Sequence, residues 1–100
     1  MKEKVTLKIQ GTEIREFEMY LYERENAEAT IRKYITDLKC FFSFLGGDQE
    51  VDKPRLLSYK EWLLEHYAVN SVNSMLAALN QFLIFCGYCE LKIRRVKTQK

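Results

Sequence analysis

The residues that could support catalysis are few and poorly grouped. The single histidine, His66, lies near the end of a predicted helix without a paired base or nucleophile, so we interpret it as favouring the helix dipole. Cys86 and Cys89 form a C-x-x-C pair, but a structural zinc needs four ligands, and the other candidates, Cys40 and His66, belong to separate predicted helices. No glycine-rich phosphate loop is present. The sequence therefore predicts a chain that is not itself an enzyme and that uses no metal or cofactor.

A different chemistry is indicated by the stretch 29–45, which is amphipathic at helical spacing. One stripe is apolar: Ile31, Tyr34, Ile35, Leu38, Phe42 and Leu45. Another face is basic and hydroxylated: Arg32, Thr36, Lys39 and Ser43, with Lys33 beside them. Such groups suit phosphate oxygens, and a helix fits the major groove of DNA. Basic runs are also common on solvated helices, and the pattern alone favours that simpler interpretation.

Composition narrows the class of protein. The chain has 100 residues of which 47% are hydrophobic, enough for one folded domain with a single core. A formal net charge of +2 does not by itself indicate a nucleic-acid partner. No segment approaches a membrane span, the N-terminus lacks the apolar core of a signal peptide, and the odd number of cysteines indicates reduced thiols. We expect a cytoplasmic protein that does not contact a membrane.

Four helices are predicted around this stretch, at about 13–24, 27–45, 54–67 and 72–86. Thr12, Asn26 and either Asn70 or Ser71 are candidate caps, and Pro54 suits a first helical position. The first helix has an acidic outer face, which should point away from a polyanion. The fourth has an outer face of small or neutral polar residues, which allows close approach of a partner: Asn73, Ser74, Ala77, Asn80 and Gln81. Short connections then predict a compact all-α domain.

The two chain ends show a different period. Residues 4–10 alternate between apolar and polar side chains, which is typical of a strand. The only comparable stretch is 90–97, so we predict that these two ends pair as a small antiparallel ribbon. An unstructured N-terminal arm is equally compatible with the sequence.

Two motifs resemble a known family. The segment ATIRKYITDLKCFFSFL (29–45) is similar to the T-I-x-x-Y-x-x-D-L-x-x-F-x-x-F-L signature of the N-terminal core-binding domain of tyrosine recombinases, the phage and transposon integrases. The segment SVNSMLAALNQFLIFCGY (71–88) is similar to the second family signature, T-[IV]-N-x-x-L-x-A-L-x-x-F-x-x-F. They occur in the family's order, with a helix between them, and the resemblance covers about residues 12–97.

The resemblance implies a four-helix SAM-like domain that forms half of a clamp around duplex DNA, without being catalytic itself. It divides the chain into an arm or short strand (1–11), the DNA-binding domain (12–89) and a flexible basic linker toward a catalytic domain (90–100). Its second and fourth helices and the linker would contact DNA. The candidate contacts are Thr30, Arg32, Lys33, Thr36 and Lys39; Ser71, Asn73, Ser74, Ala77 and Gln81; and Arg94, Arg95 and Lys97.

Two departures from the family pattern bear on function. Ser74 and Met75 stand where the family often has Arg or Lys, so the fourth helix can hydrogen-bond a phosphate without neutralising it. The catalytic domain is absent, and we expect the chain to be a fragment of a mobile-element recombinase rather than a natural remnant. Its partners would be duplex DNA, the catalytic domain and other recombinase protomers. The alternatives are a helical protein–protein interaction module and a stand-alone helix-turn-helix regulator. Against the regulator, the third and fourth helices lack a recognition helix rich in Arg, Gln and Asn at its start.

Overall fold

The computed structural model of the protein describes residues 5–47 and 50–97. In chain order the elements are strand β1 (Thr6–Lys8), helix α1 (Glu13–Glu23), helix α2 (Glu28–Leu45), strand β2 (Glu50–Asp52), helix α3 (Lys53–His66), helix α4 (Val69–Phe85) and a 3-10 turn (Cys89–Leu91). The four predicted helices are confirmed. The domain is mostly helical, with one small two-stranded sheet.

Helix α2 places its apolar stripe in the core and leaves its basic face in solvent. Ile31 and Leu38 are buried. The residues at the predicted basic and hydroxylated positions are exposed: Arg32, Thr36, Lys39 and Ser43. The helix ends at Gly46, whose φ of 61° is left-handed. Because a Cβ is disfavoured in this conformation, glycine is the residue expected there.

The N-terminal strand pairs with a different partner from the one predicted. β1 and β2 are antiparallel, with Thr6 opposite Asp52, Leu7 opposite Val51 and Lys8 opposite Glu50. Leu7 and Val51 are buried, so the ribbon covers one side of the core. The predicted pairing of β1 with residues 90–97 is wrong. The alternating pattern near Leu91 and Ile93, both buried, arises because that segment packs its apolar side chains onto helices instead of entering a strand ladder.

Residues 92–97, hereafter the strap, lie between α3 and α4. Ile93 is buried and Val96 packs against the core. On the α3 side, the Lys60 ammonium donates to the Arg94 carbonyl at 2.8 Å. A flexible linker is predicted here, yet the part of it that the structure describes is packed onto the domain, because its apolar residues and its backbone both find partners.

Helix α4 starts one turn earlier than predicted. It begins at Val69 after the extended residue Ala68, and no side chain caps its N-terminal turn. Asn70 and Ser71 therefore lie inside the first turn, with exposed side chains, instead of preceding the helix. This places two polar side chains and uncapped backbone amides at the same end of α4.

The other predicted caps also act differently. Thr12 is the N-cap of α1 but makes no capping bond, and the Glu13 carboxylate accepts from the Gly11 amide at 2.8 Å instead. Asn26 does not cap α2, because its side-chain amide donates to the Leu21 carbonyl at 3.0 Å, near the end of α1. Local sequence therefore predicts that a helix terminus lies near these residues, but not which atoms form hydrogen bonds with the free backbone groups there.

Aromatic contacts place the acidic helix at the C-terminal half of α4. The Phe17 ring of α1 lies 5.5 Å from the Phe82 ring and 5.5 Å from the Phe85 ring, and the Tyr20 ring lies 4.9 Å from that of Phe85. The first turns of α4 lie more than two helical turns away from these contacts. The glutamates of α1 are therefore anchored away from the N-terminal end of α4.

Candidate nucleic-acid interface

Helices α2 and α4 line one surface groove of about 450 Å³, hereafter the α2–α4 groove. Its lining comprises Lys33, Thr36, Asp37 and Cys40 from α2, Tyr67 from the end of α3, and Asn70, Ser71, Ser74 and Met75 from α4. Four predicted contact residues thus meet in one concave surface: Lys33, Thr36, Ser71 and Ser74. Residues far apart in sequence converge here because α2 and α4 pack directly against each other through their apolar stripes.

The wall formed by α2 contains a partly buried ion pair that sequence reasoning missed. Lys33 Nζ lies 2.6 Å from Asp37 Oδ2, one helical turn away. The Asp37 side chain is only 6% exposed and that of Lys33 is 50% exposed. Lys33 therefore neutralises a buried carboxylate, which would be costly to leave unpaired. Its charge is largely compensated before any ligand arrives.

Arg32 and Lys39 lie on the solvent side of α2. Arg32 donates to Glu28 of its own helix at 2.6 Å, and the two side chains are 78% and 65% exposed. Ion pairs this exposed contribute about 0–1 kcal/mol, so Arg32 can exchange Glu28 for a phosphate at little cost. Lys39 has no ion-pair partner among residues 5–47 and 50–97. Neither cation is paired with the glutamates of α1.

Tyr67 and Asn70 line the groove, although neither is among the predicted contacts. Proximity to the Cys40 thiol, with smaller effects of burial and of Asp37, raises the pKa of Tyr67 above its ordinary value. A tyrosine with its ordinary pKa is already protonated at neutral pH, and the raised pKa of Tyr67 extends this to more alkaline solution, so its hydroxyl can donate a hydrogen bond. The only available signal is position, since both residues border the α3–α4 connection. Their position in the sequence points to the groove only when α4 is known to begin at Val69, which places Asn70 in its first turn.

Behind the groove, Tyr59 is a buried neighbour of the same thiol. Burial, together with the adjacent Cys40, raises the pKa of Tyr59 far above its usual range. Its hydroxyl has no hydrogen-bond partner of normal geometry among the described residues. Tyr59 packs its ring 4.9 Å from that of Phe41 and thus acts as a core residue.

A second concave surface, hereafter the α4–strap cleft, lies between α4 and the strap and adjoins the α2–α4 groove at Ser74. It is lined by Asn73, Ser74, Leu76, Ala77, Asn80 and Arg95 and shares Ser74 with the α2–α4 groove. Arg95 thus reaches the same surface as Ser74 and Ala77. The Asn73 amide is already bonded to the backbone of Val96, at 2.9 Å as donor and 2.6 Å as acceptor. Asn73 is therefore occupied by the protein itself in this structure.

The remaining predicted contacts do not line the α2–α4 groove. Arg94, Arg95 and Lys97 are exposed on the strap and surround a further shallow concavity. No carboxylate among the described residues pairs with any of the three. Gln81 is exposed farther along α4, and Thr30 is half-buried near the start of α2. Neither of these two lines the groove or the cleft.

The histidine and the cysteines considered for catalysis are not grouped into a catalytic or metal-binding arrangement within the described residues. The His66 ring stacks on Trp62 at 4.4 Å, and its Nδ1 lies 2.8 Å from the Trp62 carbonyl. Cys86 is half-buried and Cys89 is exposed, and no group of three or more His, Cys, Asp or Glu side chains in the described ranges is placed to hold a metal. In the same ranges no helix is both long enough and apolar enough to cross a membrane.

Fold and site together define a small helical domain whose second and fourth helices share a groove bordered by hydroxyl and amide side chains, with further cations exposed on the second helix and on the strap. Residues 14–86, more than half of the chain, match the family described as phage integrase, N-terminal SAM-like domain. The chain belongs to this family, which confirms the resemblance carried by the two sequence motifs. Comparison with curated proteins and with solved structures gives no significant match.

Proposed function

We propose that this chain is a non-catalytic DNA-binding domain of a tyrosine recombinase, and that it grips duplex DNA at the α2–α4 groove. The observation that carries the proposal is the convergence of Thr36, Ser71 and Ser74 in one groove, together with the exposure of Arg32 and Lys39 on the same helix α2. Hydroxyl, amide and cationic groups on adjacent helices are what a phosphate backbone requires. Family membership supports the same role.

The start of α4 adds to the electrostatic argument. Its first turn carries no side-chain cap, and Asn70 and Ser71 line the groove at that end. Uncapped amides and the positive end of the helix dipole both favour an anion such as phosphate. Helix α4 can therefore hold a phosphate through hydrogen bonds, although it has no cationic side chain of its own in the groove.

Charge is distributed so that one side of the domain is suited to a polyanion. Lys39, Arg94, Arg95 and Lys97 have no ion-pair partner among the described residues. The acidic helix α1 packs instead at the C-terminal half of α4. Separating the signs in this way orients a small domain on DNA even when its net charge is only +2.

In the parent protein, the domain would bind the core site during site-specific recombination. A separate catalytic domain would then cut and join the strands, and other protomers would occupy neighbouring sites. This part of the proposal rests on family membership alone. A mobile genetic element is the expected source of such a protein.

The proposal is tested by titrating the protein with duplex DNA at several salt concentrations. With about five phosphate contacts, log K should fall against log salt with a slope of about −4 to −5. The double variant Arg32→Glu/Lys39→Glu should lose binding, because it places two negative charges against the phosphates. Its circular dichroism should stay helical, because both side chains are exposed.

A matched control reverses two charges elsewhere. Arg15→Glu/Arg24→Glu changes the net charge by the same amount at exposed positions on and just after α1, away from the groove. It should weaken binding far less than the variant in α2. Equal losses would show a non-specific charge effect, and a salt-independent titration of the unmodified protein would overturn the proposal.

A second candidate, a protein-interaction module, has one observation in its favour. Leu57 and Leu64 are seven residues apart on α3, and their exposed fractions are 45% and 41%. Two exposed leucines on one helical face can dock an apolar partner. This candidate gains support only if DNA fails to bind, because the α2 charge reversal would leave such a surface unchanged.

A further inference from the structure

Two asparagines of α4 hold the strap by its backbone. Asn80 donates to the Ile93 carbonyl at 2.7 Å and accepts from the Ile93 amide at 2.8 Å. Asn73 makes the same pair of bonds to Val96, at 2.9 Å and 2.6 Å. Each side chain satisfies both backbone groups of one strap residue, as a neighbouring strand would. A single asparagine could do this incidentally, but two in succession define a register.

Each asparagine with its pair of backbone bonds is hereafter called a clamp. The distance between the two clamps along α4 matches the distance between them along the strap. Asn73 and Asn80 are seven residues apart, which corresponds to about 10.5 Å along a helix. Ile93 and Val96 are three residues apart, which corresponds to about 10 Å of extended chain. The strap therefore runs antiparallel to α4 with no slack between the clamps. Only this register satisfies both asparagines together.

The opposite side of the strap is held by α3. Lys53 donates to the Lys92 carbonyl, and Lys60 donates to the Arg94 carbonyl at 2.8 Å. Ile93 is buried between these contacts. The strap is thus attached to both helices through its backbone, while its charged side chains stay exposed. Arg95 lies between the clamped residues Ile93 and Val96 and lines the cleft with Ser74 and Ala77.

From this geometry we infer that Arg95 supplies the phosphate-neutralising charge that α4 lacks, and that Asn73 positions Arg95 and is not itself a phosphate ligand. The inference rests on the proposed function and deepens it. The exposed residues that helix α4 contributes to the cleft, Ser74 and Ala77, are short enough to admit a phosphate but uncharged. The clamp at Val96 places a guanidinium beside them without a cationic residue on the helix itself.

The first experiment is amide hydrogen exchange on the unmodified protein without DNA. The Ile93 and Val96 amides should exchange slowly because asparagine side chains accept from them. The Arg94 and Arg95 amides meet no acceptor in the described part of the chain and should exchange fast. This slow–fast–fast–slow pattern is specific to the two clamps. Uniformly fast exchange across 92–97 would overturn the inference, since the strap would then be loose in solution.

The second experiment is a double-mutant cycle on DNA affinity. Arg95→Gln should weaken binding about fivefold to tenfold near 0.1 M salt and make the salt slope shallower by about 0.9, as for the loss of one phosphate contact. Asn73→Ala should have a similar effect, and the double variant should be no weaker than Arg95→Gln alone. Additive effects would show that Asn73 contacts the DNA independently, and this would overturn its positioning role.

The controls separate this inference from the proposed function. Lys92→Gln removes one strap charge outside the cleft and should change affinity less than twofold. If the unmodified protein binds DNA and Arg95→Gln binds equally well, the strap inference fails while the proposed function stands. If the unmodified protein does not bind, the proposed function fails first. If Asn73→Ala loses helical content, the amide exchange pattern of the unmodified protein and the DNA affinity of Arg95→Gln still test the inference.

Discussion

Cations of the same type have different roles in this domain, depending on what lies one helical turn away. Lys33 and Lys39 are both on α2, but Lys33 is paired with the buried Asp37 carboxylate and Lys39 is unpaired among the described residues. Removing Lys33 would leave a buried charge alone, so its loss would act through stability. Lys39 offers its whole charge to a ligand. A charge-reversal test of binding should therefore use Lys39 and avoid Lys33.

At the residue scale we predict that the two neighbouring thiols react very differently. Burial, followed by the nearby Glu13 and Glu16 carboxylates, raises the pKa of Cys86 from 9.0 to about 11. At pH 8 this leaves about a hundredfold less thiolate than an ordinary thiol would have. Iodoacetamide should therefore label the exposed Cys89 at least tenfold faster than Cys86, as measured by tandem mass spectrometry.

Denaturant provides the control for the thiol prediction. In concentrated urea both cysteines lose their surroundings, and the two labelling rates should become nearly equal. Equal rates in the folded protein would contradict the burial seen for Cys86. The same shift makes the folded state lose stability as pH rises from 9 toward 11, because the unfolded thiol releases its proton first.

At the scale of elements, the helices follow from local pattern and from the residues that end them. The periodicity of α2 predicts which side is buried, and Gly46 ends the helix in the left-handed conformation. Starts are less well determined, as α4 shows by beginning at Val69 without a side-chain cap. Here the helix begins directly after the extended residue Ala68, so the candidate caps Asn70 and Ser71 predict a start about one turn too late.

We predict that Gly46→Ala lowers the free energy of unfolding by about 1 kcal/mol. A Cβ at this position meets no atom within 4 Å, so the cost comes from the backbone conformation and not from a clash. Gly46→Asn is the matched variant, because asparagine tolerates the left-handed region better than alanine. It should cost measurably less in urea unfolding. Equal costs for the two variants would contradict this account.

At the scale of the whole molecule, the two chain ends complete the core separately. Near the N-terminus, Leu7 joins Val51 in the ribbon, and near the C-terminus Leu91 and Ile93 of the strap region are buried in the core. The pairing of the two ends is not observed, because each meets a nearer partner with unsatisfied groups. The strap then places Arg95 beside Ser74 and Ala77 of α4.

We predict that Ile93→Ala lowers the free energy of unfolding by about 2–4 kcal/mol, because it leaves a cavity where a buried isoleucine packs between α3 and α4. Lys92→Ala, at the exposed neighbouring position, should change it by less than about 0.5 kcal/mol. Urea unfolding followed by circular dichroism measures both. An Ile93→Ala variant as stable as the unmodified protein would show that residues 92–97 behave as a linker.

The sequence by itself determined the four helices, the buried and exposed sides of α2, and the family, because these depend on helical periodicity and on motif residues close together in the chain. Only the tertiary structure decided which strand pairs with β1, that residues 92–97 are packed onto the domain, and that Asn73 binds backbone. These depend on which distant segment presents unsatisfied groups at the right spacing. One such condition is that the seven-residue separation of Asn73 and Asn80 in α4 spans the same length as the three-residue separation of Ile93 and Val96 in the strap. No local sequence pattern shows this match.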